Sequence, residues 1–408
     1  MGTTADKLNY LLETKEAIKG AIKAKGVSVA DSDTFRSYAD KIGEIQSGSG
    51  GGDTPSRPTY TGHADAEGLK AIGWTDEDIA YYQENGVNWN EEDDQYHLVS
   101  DDNKALYGLL DVNNISTYKD RIVYLPKIDT SAKTNMSSMF SGCNSLVSIP
   151  LLDTVNVTDM RNMFDGCRSL TTIPLLDTAN VMNMRQMFGG CHSLVTIPQL
   201  DTSKVTNMYG MFQNCYSLVS IPQLDTTKVT SMVYMFSECR SLVIVPQLDT
   251  QNVTVMDSMF YSCYSLVTVP QLNTRNVTSM SVMFSYCSSL VSIPLLDTSK
   301  VTNMYGMFQY CYSLVSIPQL DTAKVTSMNN MFYGCFSLTH INLKNVKLAY
   351  QLNNSALLSK ESLLYLINNE AATSAITIKL ASYAYTRLAT DADIVAALAA
   401  HPNISISQ

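Results

Sequence analysis

A 24-residue pattern of apolar and polar positions runs through the middle of the chain. Relative to its cysteine, each copy has Phe three positions before, Met four and seven positions before, and Leu three positions after. The cysteines that mark the copies are Cys143, Cys167, Cys191, Cys215, Cys239, Cys263, Cys287, Cys311 and Cys335. A period of about 20 to 50 residues is typical of repeat architectures, so we expect stacked repeats here.

One copy is enough to predict the elements of a repeat. The apolar residues that lead up to one cysteine are spaced as on one face of a short helical or 3₁₀ segment. They are Val205, Met208, Met211, Phe212 and Cys215. We expect Thr206 to cap that segment. The stretch SLVSIP that follows is β-prone, with Pro222 limiting the strand, and Asp225 suits a turn that bonds the backbone two residues on.

A single repeat of this kind cannot bury its own Met, Phe and Leu side chains, whereas stacked repeats can. A propeller blade needs about 40 to 45 residues for its four strands, and 24 residues are too few. The sequence therefore predicts an α/β repeat solenoid that is leucine-rich-repeat-like. Nine repeats fill residues 126–342.

The flanks predict further domains. Residues 1–46 are expected to form a helical hairpin for anchoring or oligomerisation, and 47–58 a Gly/Ser/Pro linker. Residues 59–125 are expected to form a helical N-terminal cap, and 343–408 a C-terminal cap of alternating strands and helices. The apolar positions of the hairpin at helical spacing are Leu8, Leu11, Leu12, Ile18, Ile22, Phe35, Tyr38 and Ile42.

The motif MFxxCxSLVxIPxLDTxxVTxM resembles the BspA-like leucine-rich repeat, in the Met-rich variant found in surface proteins of host-associated bacteria and in their phages. The hairpin sequence DKLNYLLETKEAIKGAIKAKG resembles an N-terminal module of phage tail and fibre proteins. The first resemblance implies a recognition surface on the repeats. The second implies that residues 1–46 bind other virion proteins.

Composition narrows the possible partners. The formal net charge is −10 and the Lys and Arg residues are scattered, which argues against nucleic acid because phosphate binding needs clustered cations. No apolar run approaches the length of a membrane span, so we expect no membrane insertion. The N-terminus lacks the features of a secretory signal, so the chain is expected to be made in a cytosol and not exported by that route.

The cysteines do not indicate a disulfide framework or a metal site. Their number is odd, and no C-x-x-C pair occurs. Stacked repeats would place them in a buried ladder, where a free Cys acts as a small apolar side chain. The usual enzyme and nucleotide-binding motifs are missing. We therefore expect no cofactor, no metal and no enzymatic activity.

Columns that vary between repeats should be the exposed ones. They carry the residue types of binding loops, and the candidates for a recognition strip are Arg168, His192, Tyr209, Tyr216, Arg240, Tyr264, Tyr286, Tyr305, Tyr310 and Tyr312. Two interpretations stay open: rings that only pack on the next coil, or a strip that binds a glycan or a protein. The near-identical stretches 202–225 and 298–321 differ only at Asn214 and Tyr310.

Two functions from different classes follow. The first is a phage virion protein, a fibre or receptor-binding subunit made in the bacterial cytoplasm. It would bind a host-cell glycan or protein through the repeats and would be a homo-oligomer, a trimer by analogy with fibres. The alternative is a BspA-like adhesin at the bacterial cell surface. An enzyme acting on host glycans is a third reading, for which no acid pair is apparent.

Overall fold

The computed structural model describes residues 63–64, 87–90, 95–98, 119, 122, 130–149, 151–369 and 375–408. The chain divides after Ser56 into two units, and all described residues belong to the second. The hairpin predicted over 1–46 lies outside the described residues. So does the linker predicted over 47–58.

The segment that was expected to form a helical N-terminal cap contains strands where it is described. Strands β1 (His63–Ala64), β2 (Val87–Asn90) and β3 (Gln95–Leu98) form an antiparallel sheet in the order β1-β3-β2. Trp89 of β2 pairs with Tyr96 of β3. The described part of this segment is therefore β-structure, which the sequence did not predict, and the helical cap stays a prediction for the rest of 59–125. The stretches that suggested helices lie outside the described residues.

The repeats stack as coils of a solenoid, but the segment before each cysteine is not a helix. In the Cys215 coil, Cys215 N donates to Phe212 O at 3.1 Å, a tight turn within the coil. Phe212 N and Asn214 N instead donate to Met235 O and Ser237 O of the next coil, at 2.9 and 2.8 Å. A helix would use these backbone N–H groups for its own hydrogen bonds. The segment therefore forms turns and not the predicted helix, and alternate N–H groups are available to join coils.

The polar residues of the turns also join coils. Thr206 was expected to cap a helix, but its backbone N–H donates to Met182 O of the preceding coil at 3.0 Å, and its Oγ1 donates to the same oxygen at 3.4 Å. The turn predicted at Asp225 is confirmed, since its Oδ1 accepts from Thr227 N at 3.0 Å. The buried Thr202 donates to Asp225 O at 2.8 Å. Thr and Asp therefore satisfy the backbone between coils.

Regular strands are fewer than the sequence predicted. Strand β4 (Ser316–Asp321) pairs in parallel with β5 (His340–Lys344). Pro318 lies inside β4, and the pairing shifts register between Ile317 and Leu320. Proline thus produces a bulge rather than ending the strand. Through the described coils before β4, neighbours meet at isolated parallel bridges, such as Asn207 with Ser231.

The core consists of the invariant columns. The nine Phe rings, from Phe140 to Phe332, form one continuous stack with centroids 5.5 to 6.1 Å apart and planes within 7° of parallel. The Cys, Leu and Met columns around it are buried, except that Met139 of the first coil is only partly so. Each ring is covered by its neighbours in the stack, so burial depends on stacking rather than on any one coil.

The C-terminal part alternates strands and helices. It comprises β6 (Tyr350–Leu352), α1 (Lys360–Asn368), β7 (Ile376–Leu380), α2 (Ser382–Leu388), α3 (Ala392–Ala400) and β8 (Ile404–Ser407). The strands form a parallel sheet in the order β6-β7-β8. Strands and helices thus alternate in the described part of 343–408, as the sequence predicted. No helix in the described part of the chain has the length and apolar character needed to span a bilayer.

Candidate recognition surface

One face of the solenoid carries most of the variable columns. We call it the aromatic face, and it consists of the outward side chains of the segments 161–168, 185–192, 209–216, 233–240, 257–264, 281–288, 305–312 and 329–336. In each segment Met, Phe and Cys point into the core and are buried. Most of the other side chains are at least partly exposed, whereas Ser237, Ser258, Ser262 and Ser285 are buried. All ten predicted strip residues lie on this face.

The column after each cysteine forms a ladder over its first coils. The rings of His192 and Tyr216 stack with centroids 4.3 Å apart, and the Arg240 guanidinium lies 4.1 Å from the centroid of Tyr216 and 5.9 Å from that of Tyr264. Burial, and then the charges of Arg168 and Arg240, lower the pKa of His192. The imidazole is therefore neutral at pH 7, which suits stacking on a ring.

This ladder is interrupted and carries charge. The predicted continuous strip breaks at Ser288, whose hydroxyl donates to Tyr264 O at 3.2 Å. Arg240 pairs with Glu238 at 2.9 Å, and the Arg185 guanidinium lies 4.3 Å from the ring centroid of Tyr209. The first half of the face is therefore a mixture of cationic groups and rings, held by cation–π contacts.

A second ring cluster lies on the last coils. Tyr310 is its centre, with centroid distances of 4.5 Å to Tyr286, 5.2 Å to Tyr333 and 6.0 Å to Tyr312. Tyr312 in turn stacks on Phe336 at 5.6 Å. Phe336 is 53% exposed and Tyr312 42%. Tyr305 is also exposed. The two open interpretations are both represented here, since the rings pack on one another and still present area to solvent.

The column before each cysteine has an unusual backbone. Its φ is positive in every coil, between 56° and 81°. Gly occupies the column in four coils and Asn214 in one, the residue types that favour this left-handed region. Tyr286 and Tyr310 adopt it at φ 63° and 59°. The recurrence of Gly and Asn in one column was a sequence signal for this conformation.

A second left-handed column lies five residues before each cysteine and includes Tyr234 and Val282. Both columns give their N–H groups to the following coil. The left-handed turns are thus part of the stacking mechanism. Their side chains are partly exposed in most coils, but Ser258 and Ser262 are buried.

Another exposed surface, which was not predicted from the sequence, is formed by the column eight residues after each cysteine. Leu151, Leu175 and Leu295 are exposed there by 69%, 64% and 62%. Most other coils have Gln in this column, and Gln223 Nε2 donates to Gln247 O at 2.7 Å. A groove of about 820 Å³ follows this surface. The signal was available in the sequence, because this column varies between Leu and Gln from coil to coil.

The buried cysteine ladder that the sequence predicted is confirmed, since all nine cysteines are buried. Cys215 Sγ donates to Phe188 O at 3.1 Å. Burial raises the pKa of Cys215 far above its usual value, so the thiol stays protonated and is not a nucleophile or a metal ligand. Across the described residues, no group of three or more His, Cys, Asp or Glu side chains could hold a metal ion.

Comparison with protein families gives one match. The family described as "Mycoplasma protein of unknown function, DUF285" matches residues 116–196, 134–244, 193–291 and 243–346, which together cover more than half of the chain. The chain belongs to the DUF285 family. The matched segments of the DUF285 family overlap along the solenoid, as expected when one model aligns with repeats in several registers. No curated protein matches the chain.

Solved structures similar to this DUF285 chain include two bacterial proteins. One is a leucine-rich-repeat protein of T. pallidum, with 21% identity over 59% of this chain and 86% of that one, at a TM-score of 0.28. The other is a leucine-rich cell surface protein of Faecalibacterium prausnitzii, with 21% identity over 59% and 84%, at 0.29. TM-scores this low do not establish a shared fold, so the solenoid rests on its own coil geometry.

Proposed function

We propose that the solenoid is a non-enzymatic recognition module, and that its aromatic face binds a protein or a glycan on a cell surface. The observation that supports this is the division between constant and variable columns. Core columns keep one residue type through nine coils, while the aromatic face changes from coil to coil. The twin stretches 202–225 and 298–321 show it most clearly, because their single difference, Asn214 against Tyr310, lies on the face.

The chemistry of the face favours binding over catalysis. Tyr, Arg, Ser, Asn and Gly combine rigid amphipathic area with adaptable hydrogen bonding. Two of its carboxylates have structural partners. Glu238 pairs with Arg240, and Asp257 accepts from Ser279 Oγ at 2.5 Å and from Ser281 N at 2.8 Å. These groups are engaged in holding coils rather than placed as an acid and a base.

We propose that the protein is located at the bacterial cell surface. The DUF285 family is described by the name of a bacterium, which favours a bacterial origin for this chain. The virion placement remains a second proposal, supported by the resemblance of residues 1–46 to phage tail and fibre modules. The virion proposal also includes binding of virion proteins by residues 1–46 and a trimeric state.

The test of recognition uses the full chain, fluorescently labelled, on a panel of intact bacterial and epithelial cells measured by flow cytometry. The variant replaces Tyr216, Tyr264 and Tyr312 with Ser. The matched control replaces Leu151, Leu175 and Leu295 with Gln, the residue that most other coils carry in that column. We expect loss of cell binding in the Tyr variant only. Equal binding by both variants, or no binding by the wild type, would overturn the proposal.

The placement has its own test. Surface proteolysis of the cells that make the chain should cleave it before lysis if it lies at the cell surface. Mass spectrometry of purified phage particles should find it if it is a virion component, and deletion of residues 1–46 should then abolish incorporation. Detection in particles and protection from surface protease would replace the first placement with the second.

A further inference from the structure

The aromatic face has two chemically different halves. Segments 161–168, 185–192 and 233–240 each contain an arginine, and two of them also contain a carboxylate. Segments 281–288, 305–312 and 329–336 contain no charged residue. The same three segments hold the second ring cluster. In the first half of the face, four of the five segments carry a charged residue, and only 209–216 has none. The other half is uncharged and aromatic, and we call its rings the neutral patch: Tyr286, Tyr310, Tyr312, Tyr333 and Phe336.

The rings of the neutral patch are fixed and accessible. Tyr312 and Phe336 lie within 17° of parallel on adjacent coils and form a continuous apolar surface along the solenoid axis. Tyr333 is 36% exposed and meets Tyr310 edge-on at 84°. Ring contacts of this kind hold the side chains in one arrangement before a ligand arrives, which lowers the entropy cost of binding.

The backbone under the patch is adapted to these rings. Tyr310 occupies a left-handed position that Gly or Asn fills in other coils at lower cost. In the next coil, a Cβ on Gly334 would lie 2.6 Å from Cδ1 of Tyr310 and 3.2 Å from its Cα. In its present position the Tyr310 ring leaves no room for a side chain at position 334. Tyr286 occupies the same column and is followed by Tyr310, so the glycine is matched to this ring position and not to every tyrosine of the column. A bulky ring kept in an unfavourable backbone conformation points to a function for the ring itself.

We propose that the neutral patch binds an uncharged carbohydrate chain, an inference that rests on the recognition function above. The absence of charge removes the main attraction for anionic or cationic ligands. Sugar rings present C–H faces that stack on aromatic rings and hydroxyls that pair with phenol, amide and hydroxyl groups. The patch offers both, and the same segments of the face contain Gln309 and Asn329. Because it extends over three coils, it fits a chain of sugars better than a single one.

The experiment uses an array of immobilised neutral oligosaccharides of glucose, galactose, mannose and N-acetylglucosamine, with sialylated and sulfated ones alongside. Wild-type full chain should bind at least one neutral oligosaccharide. Tyr310→Asn should weaken that binding about tenfold, as loss of an aromatic anchor does. Phe336→Ser, which changes an exposed ring outside the left-handed column, should weaken it as well.

Tyr383→Ser is the matched control, since Tyr383 of α2 is an exposed aromatic residue outside the aromatic face, and this variant should bind like the wild type. Retention of anionic sugars alone, no binding to any sugar, or equal losses in Tyr310→Asn and Tyr383→Ser would each overturn the proposal. Thermal unfolding of each variant verifies that it is folded.

Failure of this inference is distinguishable from failure of the recognition function. Cells that bind the wild-type chain are treated with periodate, which oxidises sugar diols, or with protease. Loss of binding after periodate supports a carbohydrate. Loss after protease alone identifies a protein partner, so the recognition function stands and the carbohydrate inference falls. If no cell binds the wild-type chain, the recognition function itself falls.

Discussion

Tyr310→Asn separates the two roles that a ring on the aromatic face could have. The substitution recreates the Cys215 coil, whose Asn214 adopts φ 61° in an otherwise identical 24-residue stretch. The variant backbone therefore already exists in this chain. If the Tyr310 ring serves recognition, removing it should leave stability almost unchanged. If the ring serves packing, removing it should destabilise the solenoid.

The magnitude follows from two opposing effects. Moving from Tyr to Asn in the left-handed region relieves about 1 kcal/mol of backbone strain. The variant loses ring contacts with Tyr286, Tyr333 and Tyr312, each worth about 0.5 kcal/mol for partly exposed rings. We therefore expect a net loss of about 0.5 kcal/mol, which corresponds to a fall in Tm of about 1 to 2 °C.

The assay is urea unfolding of wild type and variant followed by far-UV circular dichroism, with Tyr286→Asn as a second variant in the same column. Contacts at the upper end of their range, about 1.5 kcal/mol each, would instead give a loss of about 3 kcal/mol or more. A loss of that size, in both variants, would refute the reasoning and assign the rings to packing between coils.

Three further predictions concern the core and the turns. Phe236→Ala, in the middle of the Phe stack, should cost about 3 to 5 kcal/mol in urea unfolding, whereas Phe336→Ala on the surface should cost under about 1 kcal/mol; equal losses would contradict the stacked core. Iodoacetamide should leave all nine thiols of the native chain unmodified and label them on unfolding, because burial raises their pKa and excludes reagent; rapid labelling of the native chain would contradict this. Hydrogen bonds from the hydroxyls two residues on lower the pKa of Asp201, Asp225 and Asp297, so these carboxylates stabilise the fold above their unfolded pKa of about 3.9. That stability is lost as pH falls through the folded pKa, so Tm should be flat down to about pH 5 and fall below about pH 4; a flat Tm to about pH 2 would contradict it.

The repeat and its core could be predicted because a buried column tolerates few residue types. Cys, Phe, Met and Leu recur at fixed positions, and those positions are buried. The turns could not be predicted. Apolar residues spaced three and four apart fit a helix, and they also fit a series of three-residue turns that share hydrogen bonds with the next coil. Only the acceptor of the hydrogen bond from a group such as Phe212 N distinguishes a helix from these turns, and no local sequence pattern reveals that acceptor.

The sequence was enough to predict which columns of the candidate site are exposed, but not how their side chains are arranged. Variability identified the exposed columns, and His192, Tyr216 and Arg240 do form a ladder. The serine at 288 can be read from the sequence, whereas the separate cluster around Tyr310 depends on ring positions in three dimensions. The exposed Leu column was missed because a lone Leu beside buried neighbours looks like core until the direction of its side chain is known.

The claim that the aromatic face contacts a partner is tested most directly by hydroxyl-radical footprinting of the full chain, free and bound to cells, read by mass spectrometry. We predict that bound chain shows reduced oxidation of Tyr312, Tyr333 and Phe336. Tyr383 of α2, which is 64% exposed, serves as the internal reference and should be oxidised equally in both states. Unchanged oxidation of the three rings, with protection of Leu175 and Leu295 instead, would contradict the account.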